Sequence, residues 1–340
     1  MKPIIDKKPA YSIAKFTKLK KNKRPIQKLF DFDQSIKKRF CTCGNTIQIE
    51  TREHQETNQK KSSVTQAHTC QLRYCNMCNY YKVRSLSSQM TNVFMGFDAE
   101  KYKGIFLTLT TKNCEYSELR KSISHMNKSW IKLVERLYYR GSGDWLKGWI
   151  RSTEVTFNGN NCHPHFHIIL FVTDDYFKKQ NYILNKGYKP EWSYLWRDCL
   201  QADYMPVVDI KKTHKKNLNT SAVQSSISEL QKYCIKATDL RKIKTSENMA
   251  IVYNQFKGLR FLATSQNIKL NEKEKVFDSK IWDLIKLEIF KWHKELADYK
   301  LFEVRDDIRK SDYKTTVKEH VLSKNKKLKK LLLSSKNETV

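Results

Sequence analysis

Residues 162–171 read Cys162-His163-Pro164-His165-Phe166-His167-Ile168-Ile169-Leu170-Phe171. The run is apolar and rich in strand-forming residues, and successive side chains of a β-strand point to opposite faces. His165 and His167 then stand together on one face, while Phe166, Ile168 and Leu170 turn to the other. A lone histidine in a strand is usually a satisfied core or surface residue. Two imidazoles at i, i+2 on a rigid strand are instead a ready half of a divalent-metal site, because two polar rings facing a core would need partners. Metal ligation is the preferred reading, and coincidence is its alternative.

A third ligand is expected from the preceding strand, Trp149–Phe157. Glu154 shares the parity of Ser152 and Thr156, so a hairpin between the two strands brings its carboxylate beside the histidines. Gly159, the asparagines around it and Pro164 suggest that the hairpin has a longish loop. A carboxylate added to two imidazoles leaves coordination positions open for a phosphate oxygen and water, as Lewis-acid catalysis requires. The alternative for Glu154 is a solvent-facing strand residue. His163 has the right parity too, but it precedes Pro164 near the turn and is the weaker ligand candidate.

Around this hairpin, strand-like stretches at Gly104–Thr110 and Met205–Ile210 alternate with helical periodicity at about 116–139, 189–202 and 221–237. The pattern is that of an α+β domain. Within 189–202, Trp192, Tyr194 and Trp196 read first as helix core, with base stacking as the second reading. Residues 279–299 are expected to form an amphipathic helix, since Ile281, Ile285, Ile289, Trp292 and Leu296 recur at helical spacing.

The chain carries 65 Lys+Arg against 35 Asp+Glu, a formal charge of +30, which is more than solubility demands. Such a field neutralises phosphates and steers a protein onto a polyanion, so nucleic acid is preferred over membrane surfaces or acidic proteins as the partner. No stretch approaches the roughly 20 apolar residues of a membrane span. The basic start MKPIIDKKPAYS is followed by no apolar core, so a secretory signal is not expected.

The nine cysteines are therefore expected in a reducing cytoplasm, where clustered cysteine means metal more often than disulfide. Cys43, Cys70, Cys75 and Cys78 have the spacing C-x26-C-x4-C-x2-C, with Cys41 a spare. The Cys75–Cys78 knuckle lets two thiolates share one Zn²⁺. With Arg73, Lys82 and Arg84 around it, the cluster reads as a structural zinc site placed against DNA. A reduced, metal-free thiol cluster is the alternative. Cys114, Cys162, Cys199 and Cys234 are expected to be buried apolar residues.

Downstream, Val223, Ile227, Leu230 and Cys234 share one arc of a helix, and Glu229, Tyr233 and Lys236 form a separate row at i, i+4, i+7. A phenol is a poor nucleophile at neutral pH; a nearby cation and a lysine ammonium favour the phenolate. By itself this helix is unremarkable.

In order, Phe106–Thr110 (FLTLT), HPHFHIILF and the Glu229…Tyr233…Lys236 helix resemble the three motifs of the HUH endonucleases. More closely they are similar to the single-tyrosine plasmid rolling-circle replication initiator (Rep) family of Gram-positive bacteria. WIRSTEVTFN, VVDIKK, GLRFLATSQNIK and RYCNMCNYYKVRS support the match, which spans about residues 41–270. The resemblance implies an HUH-type antiparallel sheet flanked by helices, with an N-terminal Cys-rich module. It implies that His165 and His167 hold Mg²⁺ or Mn²⁺ and that Tyr233 attacks the nick site of plasmid origin DNA, partly single-stranded there. The 5′ end stays as a phosphotyrosine and the 3′-OH primes synthesis, while Glu229 activates water at termination. Host helicase and polymerase are the implied partners, in a bacterial cytoplasm.

The expected organisation is a basic tail at 1–39, the Cys module at 40–90 and the endonuclease domain at 100–270. An amphipathic helical segment at 271–310 and a basic tail at 311–340 complete it. A single-tyrosine transposase shares this chemistry but tends to be shorter. A mobilisation relaxase shares it with its tyrosine ahead of the His pair. A non-enzymatic zinc-stabilised DNA-binding regulator is the rival from another class.

Overall fold

The computed structural model describes residues 13–82, 89, 102–139, 144–178, 183, 191–212, 240–268 and 281–306. In chain order its elements are α1 (Ala14–Lys21), a 3-10 helix (Arg24–Phe30), α2 (Gln34–Thr42), β1 (Thr46–His54), β2 (Lys60–Ala67), β3 (Lys103–Thr110) and β4 (Cys114–Glu115). There follow α3 (Leu119–Tyr138), β5 (Leu146–Asn158), β6 (Asn161–Val172), α4 (Glu191–Leu200), β7 (Val208–Lys212), α5 (Ser246–Phe256), β8 (Leu262–Thr264), β9 (Trp282–His293) and β10 (Asp298–Asp306). No described helix is long and apolar enough to cross a membrane. The chain divides into two units, residues 19–43 with 69–274, and residues 1–18 with 44–68 and 275–340.

The first unit is built on an antiparallel sheet of order β7-β3-β6-β5-β8, with β4 paired to the end of β6. Its central strand β6 alternates as its sequence demands. Phe166, Ile168, Leu170 and Val172 are buried on one face with Ile105, Leu107 and Leu109 of β3. Onto that face α3 lays Met126, Trp130, Leu133 and Leu137, spaced by three and four residues, and α4 lays Trp192, Trp196, Cys199 and Leu200. Each such side chain contributes roughly 1.5–3 kcal/mol by leaving water. Trp192 and Trp196 are wholly buried, so the core reading of that helix holds for them; Tyr194 alone of the three is exposed.

The hairpin of β5 and β6 departs from expectation in its loop. Asn158 pairs with Asn161, so the turn is two residues, Gly159 and Asn160, with Gly159 at φ +60°. A left-handed φ of this kind suits a residue without Cβ. Pro164 lies inside β6, where that strand changes partner from β4 (Cys162) to β3 (His165). It therefore interrupts no continuous ladder on that side. β7 starts at Val208, not Met205, because Pro206 offers no N–H and Met205 and Val207 face solvent.

The second unit holds an antiparallel sheet of order β10-β9-β1-β2. Here the expected helix at 279–299 is overturned: residues 282–293 and 298–306 are a β-hairpin. A spacing of four residues is one helical turn and also two strand periods, so Ile281, Ile285 and Ile289 fit either structure. Pairing with β1 from Thr46–Lys291 to His54–Trp282 settles it in favour of the strand, with Ile47, Ile49, Leu287 and Phe290 buried.

The basic tail expected at 1–39 is likewise corrected, for residues 13–39 are folded. Phe16, Ile26, Phe30 and Ile36 are buried, Phe30 stacks on Phe40 with centroids 4.3 Å apart, and Asp33 caps α2 by accepting from the Ile36 N–H. The Cys module at 40–90 is not one continuous piece either. β1 and β2 lie between Cys43 and Cys70 and belong to the other unit.

Gly148 on β5 permits the close approach of residues 265–268. A Cβ there would lie 2.8 Å from Ile268 Cδ1 and 2.9 Å from Ser265 Oγ, the latter holding the Trp149 N–H at 3.0 Å. Gly148→Ala should therefore lower unfolding free energy by about 1–3 kcal/mol, as overpacking does. Chemical denaturation of the two proteins checks this, and an unchanged midpoint would refute it.

Candidate metal centres

The register of the hairpin places Glu154 directly opposite His165, and Ser152 opposite His167. Glu154 Oε2 lies 2.8 Å from His167 Nε2 and 3.4 Å from His165 Nε2, so both rings aim the same nitrogen at one carboxylate oxygen. All three side chains are largely withdrawn from solvent, with exposures of 6%, 12% and 6% for Glu154, His165 and His167. Their donor atoms lie within 4.8 Å of one another, close enough for one ion.

Behind the three donor residues stands Thr108 of β3, paired across the sheet with His167. Its hydroxyl shares a 3.2 Å hydrogen bond with His167 Nδ1. A hydroxyl both donates and accepts, so it serves either tautomer of the ring. With Nε2 protonated toward Glu154 it donates to Nδ1; with Nε2 given to a metal it accepts from Nδ1–H, the usual outer partner of a ligating histidine. Phe106 of the same strand stacks on the His167 ring at 5.9 Å. Sequence reading quoted FLTLT only as a motif and missed Thr108; its parity with Phe106 on a strand neighbouring the histidines was the available signal.

Burial disfavours the Glu154 carboxylate, but the bonds from His165 and His167 outweigh it and hold the group down to about 2. His163 stands next to His165 with ring centroids 4.7 Å apart, outside the three-residue cluster. Desolvation, then the neighbouring His165, lowers its affinity for a proton. His165 Nδ1 and His163 Nε2 are buried with no hydrogen-bond partner among the described residues. Cys114 and Cys162, expected as separate buried residues, face each other with sulfurs 3.5 Å apart where β4 meets β6.

The four cysteines of the long-spaced pattern do converge. Cys43, Cys70, Cys75 and Cys78 are all buried, with their sulfurs within 4.8 Å of one another; Cys41 is excluded and half-exposed. Sulfur separations are 3.6 Å for Cys43–Cys78, 3.6 Å for Cys70–Cys78 and 3.5 Å for Cys43–Cys75. Tetrahedral zinc with ordinary Zn–S bonds would set them about 3.8 Å apart, so the donor set fits. Hydrogen bonds from Cys43, then Cys70 and Cys78, pull the Cys75 thiol far down, while bonding to Cys43, Cys75 and Cys78 pushes Cys70 up.

Two lysines reach into the same region. Desolvation, then Lys23, lowers the Lys20 ammonium to about 8 against the opposing pull of Cys43, Cys75 and Cys41. Of the basic residues expected at DNA, Arg73 donates to the Leu259 carbonyl at 2.9 Å and lies 3.8 Å over the Phe261 ring. Lys82 is exposed at the end of the helical residues 76–82. Arg84, and residues 221–237 where a helix is expected with Glu229, Tyr233, Lys236 and Cys234, lie outside the described residues.

A family model described as "Replication protein" matches residues 61–314. A protein named "Protein rep" from Lactiplantibacillus plantarum is 34% identical over 191 residues, 54% of this chain and 58% of its own length. "Protein rep" from Streptococcus pneumoniae is 31% identical over 240 residues, 69% of each chain. "Protein rep" from Bacillus amyloliquefaciens is 31% identical over 245 residues, 66% of this chain and 69% of its own. The match thus spans between 58% and 69% of these relatives' length. No solved structure matches.

The depressed Glu154 carboxyl has a consequence for acid stability. A group with a folded-state value below its unfolded one contributes stability above the unfolded value near 4.5, lost as pH falls toward about 2. In the presence of a chelator, Glu154→Gln should lose on the order of 2 kcal/mol at pH 6 and much less at pH 3. Denaturant titrations of both proteins at the two pH values test this; a gap independent of pH would contradict it.

Proposed function

This chain belongs to the Replication protein (Rep) family, and from that premise we propose that it initiates rolling-circle replication of a plasmid by nicking one strand of the double-strand origin. The observation that carries the reading is the Glu154–His165–His167 donor set on one sheet face, with Thr108 behind His167. These three residues would hold Mg²⁺ or Mn²⁺, whose charge, when bound, acts as a Lewis acid on the scissile phosphate. Three protein donors saturate neither metal, which accords with a phosphate oxygen and water as the remaining ligands.

Tyr233 is the proposed nucleophile. Its phenolate oxygen forms a bond to phosphorus while the bond to the 3′ oxygen breaks, leaving a 5′-phosphotyrosine and a free 3′-OH for the host polymerase to extend. Lys236, three residues on, favours the phenolate by its positive charge. Glu229, four residues before Tyr233 in the sequence, takes a proton from water at termination so that hydrolysis competes with rejoining. The origin enters partly single-stranded and a host helicase extends the opening, in the bacterial cytoplasm. Cys43, Cys70, Cys75 and Cys78 are proposed to hold a structural Zn²⁺.

Supercoiled plasmid carrying the origin, incubated with Mn²⁺, should become a nicked circle with protein covalently attached; Tyr233→Phe should bind equally and leave it closed. Equal binding with no nicking by either protein would select a DNA-binding regulator instead. Labelled single-stranded origin oligonucleotides report nick position and adduct together. Thr108→Val should weaken Mn²⁺ binding about tenfold or more, as loss of an outer partner does. Calorimetric titration measures that loss, and unchanged affinity would remove Thr108 from the site.

A further inference from the structure

Lysine is almost never fully buried unless paired, yet Lys23 is 1% exposed and Lys20 6%. Lys20 Nζ donates to the carbonyls of Cys41 at 2.8 Å and Cys43 at 2.6 Å. Lys23 Nζ donates to the carbonyls of Phe40 and, at 3.1 Å, Cys43. Both ammoniums thus converge on one carbonyl, that of Cys43, at the C-terminal end of α2 where the helix dipole is negative. Cys43 is also one of the four clustered cysteines.

Charge decides what this arrangement is for. A divalent cation held by four thiolates keeps two negative charges, and a buried centre of that kind is costly without cations nearby. Two buried ammoniums are costly in turn without anions. Carbonyl dipoles solvate them in part, but the four sulfurs can supply full negative charge only as thiolates, and thiolates packed this closely need a metal between them.

We propose that Lys20 and Lys23 are the counter-charges of a tetrathiolate zinc centre at Cys43, Cys70, Cys75 and Cys78. They act as positioning residues that set its zinc affinity by cancelling its two negative charges and holding the Cys43 backbone in place. This rests on the zinc reading of the four cysteines. It also explains why a Lys-rich segment folds: residues 20–43 join the metal site through their cations as well as through Cys43.

The test uses the full chain with Lys20→Gln, Lys23→Gln, the double variant and Lys20→Arg. Glutamine keeps a hydrogen-bond donor and removes the charge; arginine keeps both. Wild type should carry one zinc by elemental analysis. Each glutamine variant should bind zinc about tenfold more weakly in chelator competition, the double variant more so, and Lys20→Arg should recover most of the loss. In cobalt-substituted protein the thiolate-to-metal band should move to longer wavelength in the glutamine variants and return toward its wild-type position in Lys20→Arg, as an effect of charge requires. An unchanged competition midpoint and an unmoved band, or arginine behaving as glutamine does, would overturn the role of the lysines while leaving the zinc reading standing. A wild-type protein that takes up neither zinc nor cobalt overturns both. Should Lys23→Gln fail to fold, the band positions of Lys20→Gln and Lys20→Arg decide the question.

Discussion

Glu154 faces His165 because β5 and β6 pair in one register, and that register carries the site and the core together. The pleat that turns Glu154, His165 and His167 to one side turns Phe166, Ile168 and Leu170 to the other, under α3 and α4. The burial of large apolar side chains therefore holds these three donor groups in alignment. A one-residue slip would turn the imidazoles into the core, so stability and site geometry are enforced by the same contacts.

The two donor sets in the first unit are chemically unlike. Two imidazoles and a carboxylate are ligands of intermediate to hard character that leave coordination positions free. Four thiols are soft and fill a tetrahedron. Membership of the Replication protein family adds biological context to the first set. The second is defined by its own geometry, with two cations where its charge would need them.

Much of the central sheet was legible in the sequence because strand parity is a local property. The His pair, Glu154, both hairpin strands and the apolar stripes of α3 and α4 could be read without knowing any distant contact. The four cysteines were legible as a set because the Cys75–Cys78 knuckle and the two cysteines before it have a spacing that suits a shared metal ion. What escaped depended on remote pairing. Residues 282–293 carry a spacing that suits helix and strand alike, and their partner β1 lies near the other end of the chain. Residues 13–39 looked like a solvated tail because lysine is normally a surface residue, whereas Lys20 and Lys23 are interior. The contacts of Arg73 with Leu259 and Phe261 also depend on remote pairing and could not be read from its neighbours in the chain.

The two-residue turn at Gly159 and Asn160 has a further consequence for how this segment can vary in length. A strand has a frame of two, so one residue inserted between Cys162 and His165 would exchange the histidine face for the apolar one downstream or force a bulge. Substitutions are open to it, and so are additions at the turn itself, where lengthening the loop leaves the frame intact. Within the strand, an added or deleted single residue amounts to a frameshift written in side-chain direction.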